Sequence, residues 1–409
     1  MNNFNLTVYE RDGDCHIVVE GRFDATNDAE VAAKAFALRK EHPKGALVFH
    51  AQKLEYVSSA GLRVLLKLQK SEQERIRITN CSDGLFEILS VTGFTEILNV
   101  TKDIEEIDTE GLEIIGRGAA GTVYRLGPDQ IVKMYAPEYK LNDIEAERMA
   151  ARTAFIKQIP TAIPFKTVKS GDRYGLVFEM LNAVTLTHKF ATEPDRLEEY
   201  MERFVALGRQ LHSQTLPEGE FPSMKESFRK AIKAAGKFFS VEEQEMILQV
   251  LDSIPDSNTM LHGDLHPGNI MVDGNDELIF IDMGGIGYGH PIFDVIDMLL
   301  LYPIPLITAP EFILNYHKLS EEMINKVWKC YFSVQFRGAS EEELDTYEKI
   351  LKGFAALRMV PIGVSVFAPT LPAEFIRGTT ELGMEYIREN IDDLLATDWD
   401  KLDEYIAGK

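Results

Sequence analysis

The chain has 409 residues, 45% hydrophobic and 10% aromatic, which suffices for packed cores in two or three domains and excludes a disordered chain. Lys plus Arg number 43 against 65 Asp plus Glu, a net charge of −22, so no general binding to nucleic acid or to an anionic membrane surface is expected. Cys15, Cys81 and Cys330 are too scattered for a disulfide framework or a metal motif, the first residues lack an apolar leader, and no stretch is long enough to cross a bilayer; the expected location is cytoplasmic.

In chain order, Leu6–Tyr9 and His16–Glu20 read as strands around the turn Asp12-Gly13-Asp14. Asn27–Glu41 reads as a helix, Ala46–Phe49 as a strand and Ala60–Lys70 as a leucine-rich helix that Ser58 or Ser59 would cap. Arg75–Thr79 reads as a strand and Leu85–Val91 as a short helix. This β/α alternation implies one sheet with helices packed on it. Thr101–Gly111 is polar and acidic and reads as a linker. Strands follow from Leu112 to about Tyr135, then a helix over Asp143–Ile156. The chain closes with helices such as Glu321–Phe336 and Glu341–Leu357.

Three groups of residues carry chemistry. Gly116-Arg117-Gly118-Ala119-Ala120-Gly121-Thr122-Val123 matches G-x-G-x-x-G-x-V, in which glycines let a backbone approach phosphate oxygens closely. A β-prone run follows it rather than a helix, so the arrangement is that of a lid over ATP and not of a dinucleotide site. Lys133 lies inside the apolar strand Ile131–Met134 and needs an anionic partner there. ATP phosphates and a helix glutamate would serve, Glu147 first and Glu145 second. The strongest group is His262-Gly263-Asp264-Leu265-His266-Pro267-Gly268-Asn269, followed by the hairpin Ile270–Ile281 and Asp282-Met283-Gly284. Asp264 fits the carboxylate that takes the proton of an attacking hydroxyl, and Asn269 and Asp282 fit hard oxygen ligands for Mg²⁺. The hairpin returns Asn269 and Asp282 to one end. His262 and His266 are four apart, but Pro267 and Gly268 oppose the helix that a zinc pair would need, and His262 reads as a loop brace.

On these motifs, residues from about 109 to at least 300 resemble the protein-kinase-like fold, in its aminoglycoside phosphotransferase and choline kinase branch. Gly263 stands where protein kinases carry the arginine of H-R-D. Only MGGIGYGHPIF separates Asp282 from Asp294, too little for a long activation segment. The resemblance implies that Asp294 supports the catalytic loop and that a hinge over Val177–Leu181, with Glu179 and Leu181, binds adenine through backbone groups. It also implies that the C-terminal helices build the acceptor pocket.

The first hundred residues resemble a STAS domain, the fold of anti-sigma-factor antagonists. The resemblance rests on Val19–Asp24, Leu47–Phe49, Tyr56–Leu62 and Thr92–Phe94. It implies that Ser59 is a phosphorylation site, although Ser58 replaces the aspartate usual before that serine. The expected fold class is therefore an N-terminal STAS α/β domain (1–102), a linker (103–110), and a two-lobed kinase-like domain with an N-lobe (111–182) and a helical C-lobe (183–409). The expected function is an ATP- and Mg²⁺-dependent phosphotransferase acting on a small-molecule hydroxyl, with the STAS module serving regulation or a signalling protein partner. The rivals are a protein kinase acting on a STAS serine and a non-catalytic nucleotide sensor.

Overall fold

A computed structural model describes residues 4–118, 120–359 and 373–409. The chain divides into two compact units, Met1–Ile107 and Asp108–Lys409.

In the first unit, strands Asn5–Arg11 and Asp14–Phe23 pair antiparallel through Asp12 and Gly13. Both turn residues have positive φ (53° and 88°), the backbone that matches a two-residue hairpin to the strand twist. Asp14–Phe23 alternates buried and half-buried residues and then runs parallel to Leu47–His50, which continues to Arg77–Cys81 and Asn99–Lys102. The helices Asp28–Glu41, Ser59–Ser71 and Asp83–Val91 bury Val31, Ala35, Leu38, Val64, Leu65, Leu68, Leu85 and Leu89 in one core with Ile17, Val19, Phe49 and Ile78.

Two details depart from expectation. Thr101 and Lys102, read as linker, end the last strand. The four-residue strand Leu54–Val57 pairs with Asp14–Phe23 and was not legible, because only its two end residues face inward. The cap of helix Ser59–Ser71 is Ser58, whose Oγ accepts the N–H of Ala60 (3.2 Å) and of Gly61 (3.5 Å). Ser59 is the first helical residue and is exposed. Ser58→Ala is therefore expected to cost about 0.5–2 kcal/mol in urea unfolding, and Ser59→Ala much less.

In the second unit, Pro164–Ser170, Arg173–Glu179, Gln130–Tyr135, Gly121–Arg125 and Ile114–Gly118 form an antiparallel sheet in that order. The glycine motif is the connection between its last two strands, with Gly118 opposite Gly121; Ala119 lies outside the described residues. A Cβ at Gly121 would overlap the Met134 carbonyl, so the two strands can pack only with glycine there. Helix Leu141–Ile156 starts two residues before the expected Asp143, whose carboxylate accepts the Lys140 N–H (2.7 Å) at the helix start.

The rest of the unit is mainly helical. Its helices include Leu197–His212, Met224–Ala234, Val241–Ser253, Glu321–Gln335, Glu341–Met359, Ala373–Leu395 and Trp399–Ala407, of which the first packs against the hairpin Ile270–Asp273 and Leu278–Phe280. A single core joins Tyr135, Ile144 and Leu176 to Phe204, Leu261, Phe293, Trp328 and Phe354. The fold class is thus the expected one, an α/β STAS-like unit followed by a kinase-like α+β unit. Among the described residues no helix is long and apolar enough to cross a membrane.

One buried histidine is expected to make this unit sensitive to acid. His317 ends helix Pro310–His317, approaches the Leu301 carbonyl through Nε2 (2.6 Å) and stacks on Tyr302 at 4.4 Å. Burial pulls its pKa down to about 4, against about 6.5 in an unfolded chain. Between those values the unfolded chain binds the proton first, so stability falls as pH drops through about 6.5 towards about 4. His317→Gln should remove on the order of 2 kcal/mol of the stability difference between urea melts at about pH 7 and about pH 5. An unchanged difference would exclude His317 as its source.

Candidate active site

Lys133 sits at the centre of the strand Gln130–Tyr135, directly opposite Val123 and Leu176. Its Nζ lies 3.0 Å from Glu147 Oε1 and 2.8 Å from Asp282 Oδ1. Burial alone would lower its pKa, but the two carboxylates outweigh that and push it up to about 12, so it stays cationic. Of the two candidate glutamates, Glu147 takes the pairing; Glu145 accepts instead from Thr167 Oγ1 (2.6 Å) and Arg148 Nε (3.2 Å). Glu147 is 7% exposed, and a Cβ at Gly284 would come within 2.8 Å of its Oε2. That glycine therefore lets the segment after Asp282 close against the helix.

The loop from His262 to Asn269 follows the short strand Met260–Leu261. Gly263 has φ +80°, and a Cβ there would overlap the Gly285 carbonyl, which accounts for glycine after the histidine. Asn269 Nδ2 donates to the Asp264 carbonyl (2.9 Å) and to Asp264 Oδ2 (3.0 Å). This commits its amide nitrogen and leaves its oxygen as a free donor atom. The Ile281 N–H donates to the Asn269 carbonyl (3.0 Å), which ties both ends of the hairpin together beside Asp282. Asp282 adopts φ 60° and ψ 54°, a left-handed conformation tolerated by Asp and Asn. Its side chain is 45% exposed, and that of Asp264 47%. Burial would raise the Asp282 carboxyl, but Lys133 outweighs it and holds the group below its ordinary pKa, hence ionised.

Two buried carboxylates hold the loop from behind. Asp294 accepts the N–H groups of His262 and Gly263 (both 2.8 Å) and contacts His212 Nε2 at 2.9 Å. Asp297 accepts the Leu265 N–H (2.7 Å) and pairs with Arg358. Sequence reasoning reached Asp294 but missed Asp297, His212 and Arg358. For Asp297 and Arg358 the one signal is a charged residue inside an apolar run, Ile296-Asp297-Met298 and Leu357-Arg358-Met359. Tyr316 was also missed. Its ring lies 6.4 Å from that of His266 in the loop and 5.0 Å from that of His317. The two loop histidines are used locally, with His266 Nδ1 accepting the Gly268 N–H (3.1 Å) and His262 Nε2 contacting the Ile281 carbonyl (3.2 Å).

At the hinge, Glu179 turns its carboxylate onto the Ile163 N–H (2.8 Å), and its own N–H donates to the Ile163 carbonyl (3.1 Å). The Glu179 side chain is thus structural, which leaves the hinge expectation on backbone groups. Leu181 lies two residues beyond the strand, half-buried against the core. Gly116 pairs with Val123 next to Lys133, so the glycine strands form the sheet edge beside the lysine.

Residues 111–321, just over half of the chain, match the phosphotransferase enzyme family, and residues 6–100 match the Mlab STAS domain. Similar solved structures include an aminoglycoside-3′-phosphotransferase of type VIII, at 20% identity over 57% of this chain and 90% of that one, TM-score 0.40. A thermostable mutant of aminoglycoside phosphotransferase APH(4)-Ia is 11% identical over 69% and 95%, TM-score 0.48. The choline kinase LicA of Streptococcus pneumoniae is 13% identical over 74% and 99%, TM-score 0.41. Because that family model spans more than half of its residues, the chain belongs to the phosphotransferase enzyme family.

Proposed function

We propose that the chain transfers the γ-phosphoryl group of ATP to a hydroxyl of a small-molecule acceptor in a Mg²⁺-dependent reaction. The observation that carries this reading is the convergence of Lys133 on both Glu147 and Asp282, together with the Asn269 amide held on the Asp264 carboxylate. Lys133, kept cationic, holds the α- and β-phosphates under the Gly116–Gly121 strands. Asp264, half-exposed and oriented by Asn269, takes the proton of the acceptor hydroxyl as its oxygen bonds to phosphorus and ADP leaves. Backbone groups at Glu179 and Leu181 receive the adenine.

Mg²⁺ fits the donor set, since the free Asn269 oxygen and the half-exposed Asp282 carboxylate are hard ligands that leave room for phosphate oxygens. Bound there, it would neutralise phosphate charge. The STAS module would serve regulation or a signalling partner. Ser59, exposed at a helix start whose first N–H groups are already used by Ser58, is its candidate phosphosite. The protein would work in the cytoplasm, without nucleic acid or membrane as a partner.

Labelled ATP offered with Mg²⁺ and a panel of hydroxylated metabolites tests the reading. Label recovered in a small molecule is the expected result. Label on the STAS unit alone would select a protein kinase instead, and nucleotide binding without transfer would select a sensor.

A further inference from the structure

The catalytic loop contains no cation of its own, because Gly263 has no room for a side chain. A guanidinium nevertheless reaches it from 95 residues further along the chain. Arg358, in the last turn of helix Glu341–Met359, donates to the Gly263 carbonyl (2.7 Å) and pairs with Asp297. Asp297 in turn accepts the Leu265 N–H (2.7 Å). One ion pair therefore grips the peptide carbonyl just before Asp264 and the amide just after it. The Asp297 side chain is 1% exposed and that of Arg358 30%. An ion pair that served the core alone would not need to commit a donor to the loop backbone. Burial opposes the charge on Arg358, and Asp297, Asp264 and Asp294 restore it.

We propose that Arg358 is the positioning residue of Asp264. Through the Gly263 carbonyl and Asp297 it ties the proton-accepting carboxylate to helix Glu341–Met359. The inference rests on the phosphotransfer reading above. It depends on the fork of the guanidinium, which spans two acceptors where an ammonium acts as a point charge.

Arg358→Lys separates the two roles, because it keeps a positive charge beside Asp297 while losing the fork. The full chain is measured with Mg·ATP as probe, reading nucleotide affinity, melting temperature and turnover to water or to any acceptor found in the transfer assay. Deuterium uptake is followed in peptides covering 261–269. The expected result is near-wild-type melting and nucleotide affinity, turnover lower by about 10²-fold, and faster exchange in the loop but not in the hairpin that follows. Arg358→Gln combined with Asp297→Asn removes both charges of the pair together and should reproduce the same loop exchange and loss. Wild-type turnover in Arg358→Lys overturns the proposal. So does a loss with unchanged loop exchange, or one explained by unfolding or weaker nucleotide binding in both variants. Failure of the phosphotransfer reading looks different, for then the wild-type protein itself neither binds nor turns over Mg·ATP.

Discussion

Asp264→Asn is expected to bind Mg·ATP as the wild type does and to lose turnover by about 10²–10⁴-fold, the range for removing a positioned general base. Asparagine preserves the shape of the side chain and a polar contact with Asn269, so the loop should keep its form. What disappears is a group able to take a proton from the acceptor. Nothing in the nucleotide half of the site is touched, since Lys133, Glu147 and Asp282 make their contacts without Asp264. Affinity measured by calorimetry should therefore stay within about twofold while turnover collapses. A fall of less than about tenfold, with chemistry rate-limiting, would show that the proton goes elsewhere.

Asp282→Asn should fail at the earlier step. Asparagine adopts the left-handed backbone that position 282 requires, so the segment through Gly284 and Gly285 should close as before. Alanine would add a backbone penalty of about 1 kcal/mol there and confuse the comparison. The substitution removes the carboxylate charge that Lys133 contacts and leaves Mg²⁺ only neutral amide oxygens in this pair. ATP affinity should lose its dependence on Mg²⁺, and turnover should fall by at least about 10²–10³-fold, the scale for deleting one electrostatic contact to a developing charge. Lys133 keeps Glu147 as a partner, so the fold should survive, and a melting temperature within a few degrees of wild type checks this. If affinity in the variant still rises with Mg²⁺ as in the wild type, Asp282 is not a metal ligand.

The contrast between these two variants follows from an asymmetry in the chain itself. Asp264, Asn269 and Asp282 were legible in sequence because a single loop and one hairpin carry all three. Gly263 marks a left-handed turn, and the Asp273–Asp276 turn returns the chain to Asn269. Gly116–Gly121 and Lys133 were legible for the same reason, as neighbours in one antiparallel run. The alternation of the first hundred residues likewise announced its sheet, helix by helix. In each case spacing of a few residues sets the geometry, and local backbone chemistry suffices.

Where separations grow, sequence alone left alternatives that only packing resolved. Glu145 and Glu147 are two residues apart, about 200° around a helix, so either could face the sheet. The closure of Gly284 on one side of that helix chose Glu147, and the Thr167 hydroxyl took Glu145. Ser58 and Ser59 competed for one helix start until the backbone at Ser58 stayed extended and placed its oxygen under two N–H groups. Asp297 meets the catalytic loop at Leu265 across 32 residues and Arg358 meets it at Gly263 across 95, while His212 reaches Asp294 across 82. No periodicity records such contacts. A buried charge shows in sequence only as an exception within an apolar run, and which opposite charge answers it depends on how the helices cross.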